Sequence, residues 1–311
     1  MDPKFELVYA ASIDRPDAVE CLLCHGADPN STDDNGNTAL HLTHSIKVAE
    51  LLLKHDANIN ALNKKGSTPL YAAVKDLIFF MWLLTHGADP NAGKNPPLCQ
   101  TVGYGLIDQT LMLLLHNADI HVVTKTKRTP LHFSALARVS SELITELLLE
   151  RGSFIDATDS KGKSPLMLAV EAKKIRVVHY LLRHNANVNI HNHSGKTVLH
   201  KAANDDRIEI FKMLLEGGAH VDAVDKYGNT PMHYAVRNGC IECVKELVNH
   251  GAPLDITNWN GDTPLHYANK FRKHSIAYYL LTSGADNDIR NIKGQTPEKC
   301  FVEKSFKPIK Y

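Results

Sequence analysis

The chain has 311 residues, with 35 Lys and Arg against 34 Asp and Glu, 43% hydrophobic residues and 22% charged ones. That apolar content can bury a core, so wholesale disorder is excluded, and a net charge near zero argues against bulk nucleic-acid binding. The longest wholly apolar run, 77–84, falls far short of the ~20 residues that span a bilayer, no basic start precedes an apolar stretch at the N-terminus, and six scattered cysteines suit a reducing compartment, the cytoplasm or the nucleus, better than a disulfide scaffold.

Read in chain order, the sequence repeats. Gly26, Asp56, Gly87, Asn117 and Gly152 mark equivalent points at spacings of 30, 31, 30 and 35. Asn185, Gly218, Gly251 and Gly284 continue at 33, and a second marker (Gly162, Gly195, Gly228, Gly261, Gly294) keeps the same 33. The length alone would suggest two domains. The repeat instead makes 1–300 one array of nine units at 2–32, 33–62, 63–92, 93–123, 124–158, 159–191, 192–224, 225–257 and 258–290. A capping stub, 291–304, and a basic tail, 305–311, follow.

Each unit predicts a short first helix, a second helix ending in paired leucines, and a loop. In the first unit Asp2 caps the opening helix, Pro3 follows it, and Pro16 falls at the start of the second helix. The first helices begin at GNTALHL, GSTPLYAA, RTPLHFSA, GKSPLMLAV, GKTVLHKAA, GNTPMHYAV and GDTPLHYAN. Thr or Ser before Pro is a helix N-cap, and Pro sits where its missing N–H does no harm. The closing loops read HGADPN, HDANIN and HNANVN, with Gly or Asn taking the left-handed conformation that ends a helix. The fourth unit, NPPLCQTVGYG, is short and degenerate. The stub puts Glu298 where a core Leu would stand, as suits a polar cap.

This unit resembles the ankyrin repeat, and the resemblance covers roughly residues 2–300. It implies an all-α solenoid of about nine helix-turn-helix units with projecting hairpin-like loops and a C-terminal cap. It also implies a protein-binding role, with contacts on the residues flanking the turn Gly, on the end of the first helix and on the concave face. The loop asparagines Asn60 and Asn189, eight residues after Leu52 and Leu181, resemble sites of asparaginyl hydroxylation in such proteins.

Eleven of the 18 histidines follow from the repeat. His41, His132, His200, His233 and His266 stand in the T-P-L-H step. There the resemblance implies bonds to the Thr hydroxyl and to the backbone of the next repeat. His25, His55, His86, His116, His184 and His250 stand at second-helix ends, where a partly cationic ring is favourable. His191 and His193 lie in a loop without a partner at ligand spacing. Cys21-x-x-Cys24 and Cys240-x-x-Cys243 are separated by seven repeats, and each pair reads as small apolar side chains rather than a zinc or redox site. HExxH, Walker and GxSxG patterns are missing, so the expectation is a non-enzyme without metal or cofactor.

The contact positions carry a basic row: Lys64, Lys65, Lys125, Arg128, Lys161, Lys163, Lys196 and Lys226, with no acid at those positions from repeats three to eight. Lys94 and Lys127 stand where Gly would be and extend it, whereas repeat two presents Asp33 and Asp34. Trp259 offers an aromatic anchor beside Asp262, with Lys270 and Phe271 at the end of the ninth first helix. Met81 and Leu111 replace the charged residues of other repeats and predict a second, apolar patch. The expected partner is a protein with an acidic segment, bound salt-sensitively. The chain itself is expected to be a monomer with weak self-association, and neither nucleic acid nor a small-molecule substrate is expected. The competing readings are a ubiquitin-ligase substrate adaptor and a host-directed viral or bacterial effector acting in the host cytoplasm. The segment after Gly294 is too short for a SOCS-box or F-box-like element, which weighs against the adaptor.

Overall fold

A computed structural model describes residues 3–203 and 208–300. The expected cap Asp2 and the tail 305–311 lie outside the described residues. Among those described, every regular element is a helix, apart from one antiparallel bridge between Thr32 and Thr38. The chain divides into two compact units, Met1–Phe154 and Ile155–Tyr311.

The first unit holds five helix pairs: α1 (Pro3–Ser12) with α2 (Pro16–Cys24), α3 (Ala39–Leu42) with α4 (Ile46–Lys54), α5 (Pro69–Ala72) with α6 (Leu77–Thr85), α7 (Pro97–Tyr104) with α8 (Ile107–Leu115), and α9 (Pro130–Ser134) with α10 (Ser141–Glu150). The second holds four: α11 (Pro165–Glu171) with α12 (Ile175–Arg183), α13 (Val198–Ala203) with α14 (Ile208–Glu216), α15 (Pro231–Asn238) with α16 (Ile241–Asn249), and α17 (Pro264–Lys270) with α18 (His274–Thr282). A 3-10 turn, Pro297–Cys300, packs on α17, with Glu298 exposed and Cys300 buried. Within each unit the first helices pack on first helices and the second on second, giving two layers. Helices this short are marginal alone, so their stability comes from stacking.

Local chemistry sets the boundaries. Thr68, Ser164 and Thr263 accept the N–H of Tyr71, Met167 and His266, and a Pro follows each cap. Second helices end on His25, His55, His86, His116, His184 and His250. The next residue is left-handed each time, including the non-glycines Asp56, Asn117 and Asn185. In the core, the paired leucines divide their roles. Leu52, Leu83, Leu113, Leu148, Leu181, Leu214, Leu247 and Leu280 are fully buried, whereas Leu53 is only half-buried and Leu281 is exposed. The second Leu varies with the helix, since Leu84 and Leu215 are buried beside Leu83 and Leu214 and do enter the core.

The turn glycines have a steric reason. At Gly228, φ is +75° and an added Cβ would sit 2.9 Å from the backbone nitrogen of Trp259 in the next loop. The loops then bond edge to edge: Trp259 N–H donates to Tyr227 O, and Ile292 N–H to Asn260 O. Lys127 takes a left-handed φ of 56° in its own turn. Lys94 does not take the turn-glycine conformation. The left-handed residue beside it is Gly93, and the Lys94 side chain lies across Gly66 instead of occupying a turn-glycine position.

Candidate partner-binding surface

The T-P-L-H histidines are built into seams between repeats. At His233, the Thr230 N–H donates to Nδ1 at 3.1 Å and the Thr230 hydroxyl lies 2.9 Å from the same nitrogen. Nδ1 is therefore the acceptor, and Nε2–H donates to Asp262 O of the next repeat at 2.9 Å. His41 reaches Ser67 O, His200 reaches Asn229 O and His266 reaches Gln295 O in the same way. His132 bonds Thr129 through Nδ1. Burial holds His41 and His200 below the ordinary histidine value and pushes His233 down to about 4. At the second-helix ends, His25, His86 and His250 donate from Nδ1 to the carbonyls of Cys21, Trp82 and Glu246.

In the first unit, Lys64, Lys65 and Lys125 are exposed on loop tips, and Arg128 is half-buried. The Lys64 ammonium donates to Asp34 O at 2.7 Å, which ties it to the acidic loop of repeat two. On α6 and α8, Met81 is 39% exposed and Leu111 is half-buried. Their neighbours Ile78 and Leu115 are far more open, at 71% and 67%.

The second unit brings the predicted cations and aromatics together. Lys196 Nζ lies 4.3 Å from the centroid of Tyr234, and Lys226 Nζ lies 4.9 Å from that of Tyr227. The Arg237 guanidinium stands 5.6 Å over Phe271, and Lys270 Nζ is 5.7 Å from the Tyr267 ring. Burial, then the nearby Lys201, with Arg237 and Lys226 adding, lower the Lys196 pKa against the pull of Asp225. Trp259 is 72% exposed, with its indole N–H fixed to Lys226 O at 2.9 Å. The ring is thus anchored at its edge and open on its face. Phe271 packs on Tyr267 at 5.4 Å and keeps 37% exposure.

Acids missing from the loop tips stand one layer beneath. Lys161 is exposed, but Lys163 pairs with Glu171, as does Lys201. Burial pushes the Glu171 carboxyl up, yet the bonds from Lys163 and Lys201 outweigh it and leave it below the ordinary value. Asp225 accepts the Tyr234 hydroxyl at 2.6 Å, and its other oxygen caps the loop N–H groups of Tyr227 and Asn229. Tyr234, Arg237, Tyr267 and Lys201 are the participants that sequence reasoning missed. Arg237 stands at the end of α15, and Lys201, Tyr234 and Tyr267 each follow the T-P-L-H histidine by one residue, which is the position that carried the signal.

Two other clusters bring sulfur or ligand atoms together. Asp262, His266 and Cys300 place ligand atoms within 4.8 Å of one another. Both His266 nitrogens are already bonded, to Thr263 and to Gln295 O, so the ring offers no lone pair to a metal. Cys240 and Cys243 are joined in a disulfide, where sequence reasoning has only small apolar side chains. Their places, one capping α16 and the other in its first turn, put the Cα atoms 5.3 Å apart. The loop asparagines bridge repeats: Asn60 Oδ1 accepts from Asp89 N–H, and Asn189 bonds His220 N–H and Gly218 O.

A stack of capped helix pairs with bonded loops is an ankyrin array, and the family model for ankyrin repeats matches residues 7–94, 98–192, 177–258 and 199–291. The chain belongs to the ankyrin-repeat family. It is 29% identical over 220 residues to the ankyrin repeat protein B18 of Variola virus, covering 60% of this chain and 38% of that one. It is 28% identical over 194 residues to inversin of Canis lupus familiaris, covering 58% and 18%. It is 31% identical over 113 residues to the putative ankyrin repeat protein FPV024 of Fowlpox virus, covering 34% and 19%. The chain therefore spans well under half the length of these relatives. Ankyrin-repeat proteins are generally non-catalytic scaffolds for protein partners. Among the described residues, no helix is long and apolar enough to cross a membrane.

Proposed function

We propose that this chain is a binding scaffold that holds an acidic segment of a partner protein on the loop tips and first-helix layer of its second unit, with no chemistry of its own. The row of cations seated beside aromatic rings carries this reading: Lys196 on Tyr234, Lys226 on Tyr227, Arg237 on Phe271 and Lys270 beside Tyr267. A carboxylate can pair with each cation without lifting it from its ring, and the rings supply apolar contact to the stem of the bound residue. Lys161 and the open face of Trp259 extend this surface. The layer of second helices is different, because Lys212 and Lys245 there pair with Glu246 and Glu242 at 3.1 and 2.9 Å; within the row, Lys270 has Asp262 at 3.6 Å and is the cation already engaged by an acid.

We read the site of action as the cytoplasm. A second reading, a host-directed effector acting in a host cytoplasm, is supported by the similarity to the two poxvirus proteins. The test is affinity capture from cells with the wild-type chain and with a K196E/K226E/R237E variant. Loss of at least tenfold in affinity for a captured partner, together with weakening at high salt, supports the acidic-segment reading. Unchanged affinity under both conditions sinks it. Retention of a ubiquitin-ligase subunit by the variant would point to an adaptor instead.

A further inference from the structure

Among the second helices of the first unit, α6 is the one without a charged residue. Its open face is apolar all the same: Ile78 is 71% exposed, and Met81 and Thr85 are exposed with it. The Thr85 hydroxyl is spent on its own helix, donating to the carbonyls of Met81 and Trp82. Trp82 stacks between Phe79 and His86, with centroids 6.0 and 4.0 Å away, which fixes the ring. The face is therefore a stiff apolar rib, and it leaves water only when another apolar surface covers it.

The helices on either side carry opposite charges at one level. Helix α8 packs on α6. On the other side His44, just before α4, pairs with Asp76, the cap of α6, at 3.1 Å. Each of the three helices has nine residues, and the second residue is Lys47 in α4, Ile78 in α6 and Asp108 in α8. Lys47 and Asp108 are both exposed, and among the described residues neither forms a salt bridge within its own chain. Within one copy they cannot meet, because α6 stands between them. A face that runs positive, apolar, negative is complementary to itself. The net charge of +1 adds no long-range repulsion between copies.

We propose that a second copy of this chain docks on α6, forming a weak two-fold dimer through α4, α6 and α8. The axis runs parallel to α6. It lays α6 on α6, so Ile78 and Met81 of the two copies cover one another, and it lays α4 on α8. Lys47 then meets Asp108 of the second copy, twice by symmetry. Lys54 faces Leu115, and its methylene stem covers that open side chain while the ammonium reaches water. Glu50, opposite Leu111, lies at the rim and stays hydrated. The alternative axis, across the helices, would set α4 on α4 and Lys47 against Lys54, which like charge disfavours. The dimer is independent of the basic row in the second unit and would stand if that row bound nothing.

The test is sedimentation equilibrium of the full chain from about 5 to about 500 µM, the range that a small contact requires. The wild type is expected to rise from the 34.5 kDa monomer toward twice that mass. Ile78→Lys, at an exposed site, should stay monomeric throughout. Lys47→Asp and Asp108→Lys should each weaken the dimer about fivefold, and the two together should restore it to within about twofold. Tyr278→Lys, at an equally open apolar residue of α18, should leave the dimer intact. The proposal is overturned by a wild type that stays monomeric, by an Ile78→Lys chain that still dimerises, or by a double variant no better than its singles. Loss of the dimer in Tyr278→Lys, or a mass that climbs past the dimer as in an open head-to-tail chain, would overturn it too.

Discussion

Repeats seven to nine and repeats three to four are made from the same template and end differently. In the former, His200, His233 and His266 each bond a Thr of their own repeat and a carbonyl of the next. In the latter, Tyr71 and Cys99 stand at that position and the seam opens into a cavity. One side chain per repeat thus decides whether a junction is sealed by buried hydrogen bonds or left as a recess. The sealed region turns its variation outward, to the cation–ring row. The open region turns it inward, to a pocket.

The largest effect that would break this comparison is in the sealed region. His233→Ala leaves the Thr230 N–H and Asp262 O without partners and opens a hole between α15 and α17. It should cost about 3 kcal/mol in urea unfolding of the full chain. A change under about 0.5 kcal/mol would mean that the seam is not held by this histidine.

Acidity should act in the same place. The buried His233 is held at about 4 against an ordinary value of 6.5, and His41 and His200 are lowered too. Above pH 6.5 both folded and unfolded chains carry neutral rings, and nothing is lost. Below it the unfolded chain takes up protons first, so stability falls until about pH 4, where folded His233 also protonates. From pH 7 to pH 5, His233 alone should remove about 2 kcal/mol, and the slope should flatten in His233→Ala. An equal slope in both proteins would assign the effect elsewhere.

The open region sharpens the comparison from the other side. Cys99→His restores the ring without its cap, since Pro96 offers no hydroxyl. It should destabilise by about 1–2 kcal/mol through an unpaired buried nitrogen. Adding Pro96→Thr should recover at least half of that loss. If the single variant were as stable as the double, the Thr–His pair would not be the unit that closes a seam.

Most of the fold was legible because the repeat states it many times. A Gly that must be left-handed at Gly228, a Thr cap before Pro231 and a core Leu at Leu247 recur at fixed spacing, so each position confirms the others. The cations were legible as residue types, but their partners were not. Lys163 and Glu171 lie eight residues apart and meet across a helix. Lys196 and Tyr234 meet only because neighbouring repeats stack. The pocket left a visible trace, the sequences TPLY and PPLC in place of TPLH. What the sequence could not show is that Cys99 leaves space where Met167 fills it, because that depends on how the surrounding rings settle.

Zero-length carbodiimide crosslinking of the full chain to its captured partner tests the central claim directly, since it joins a lysine amine to a carboxylate in contact with it. The predicted products link Lys196, Lys226 or Lys270 to Asp or Glu of the partner. Crosslinks confined to Lys212 and Lys245, on the layer of second helices, would contradict the account.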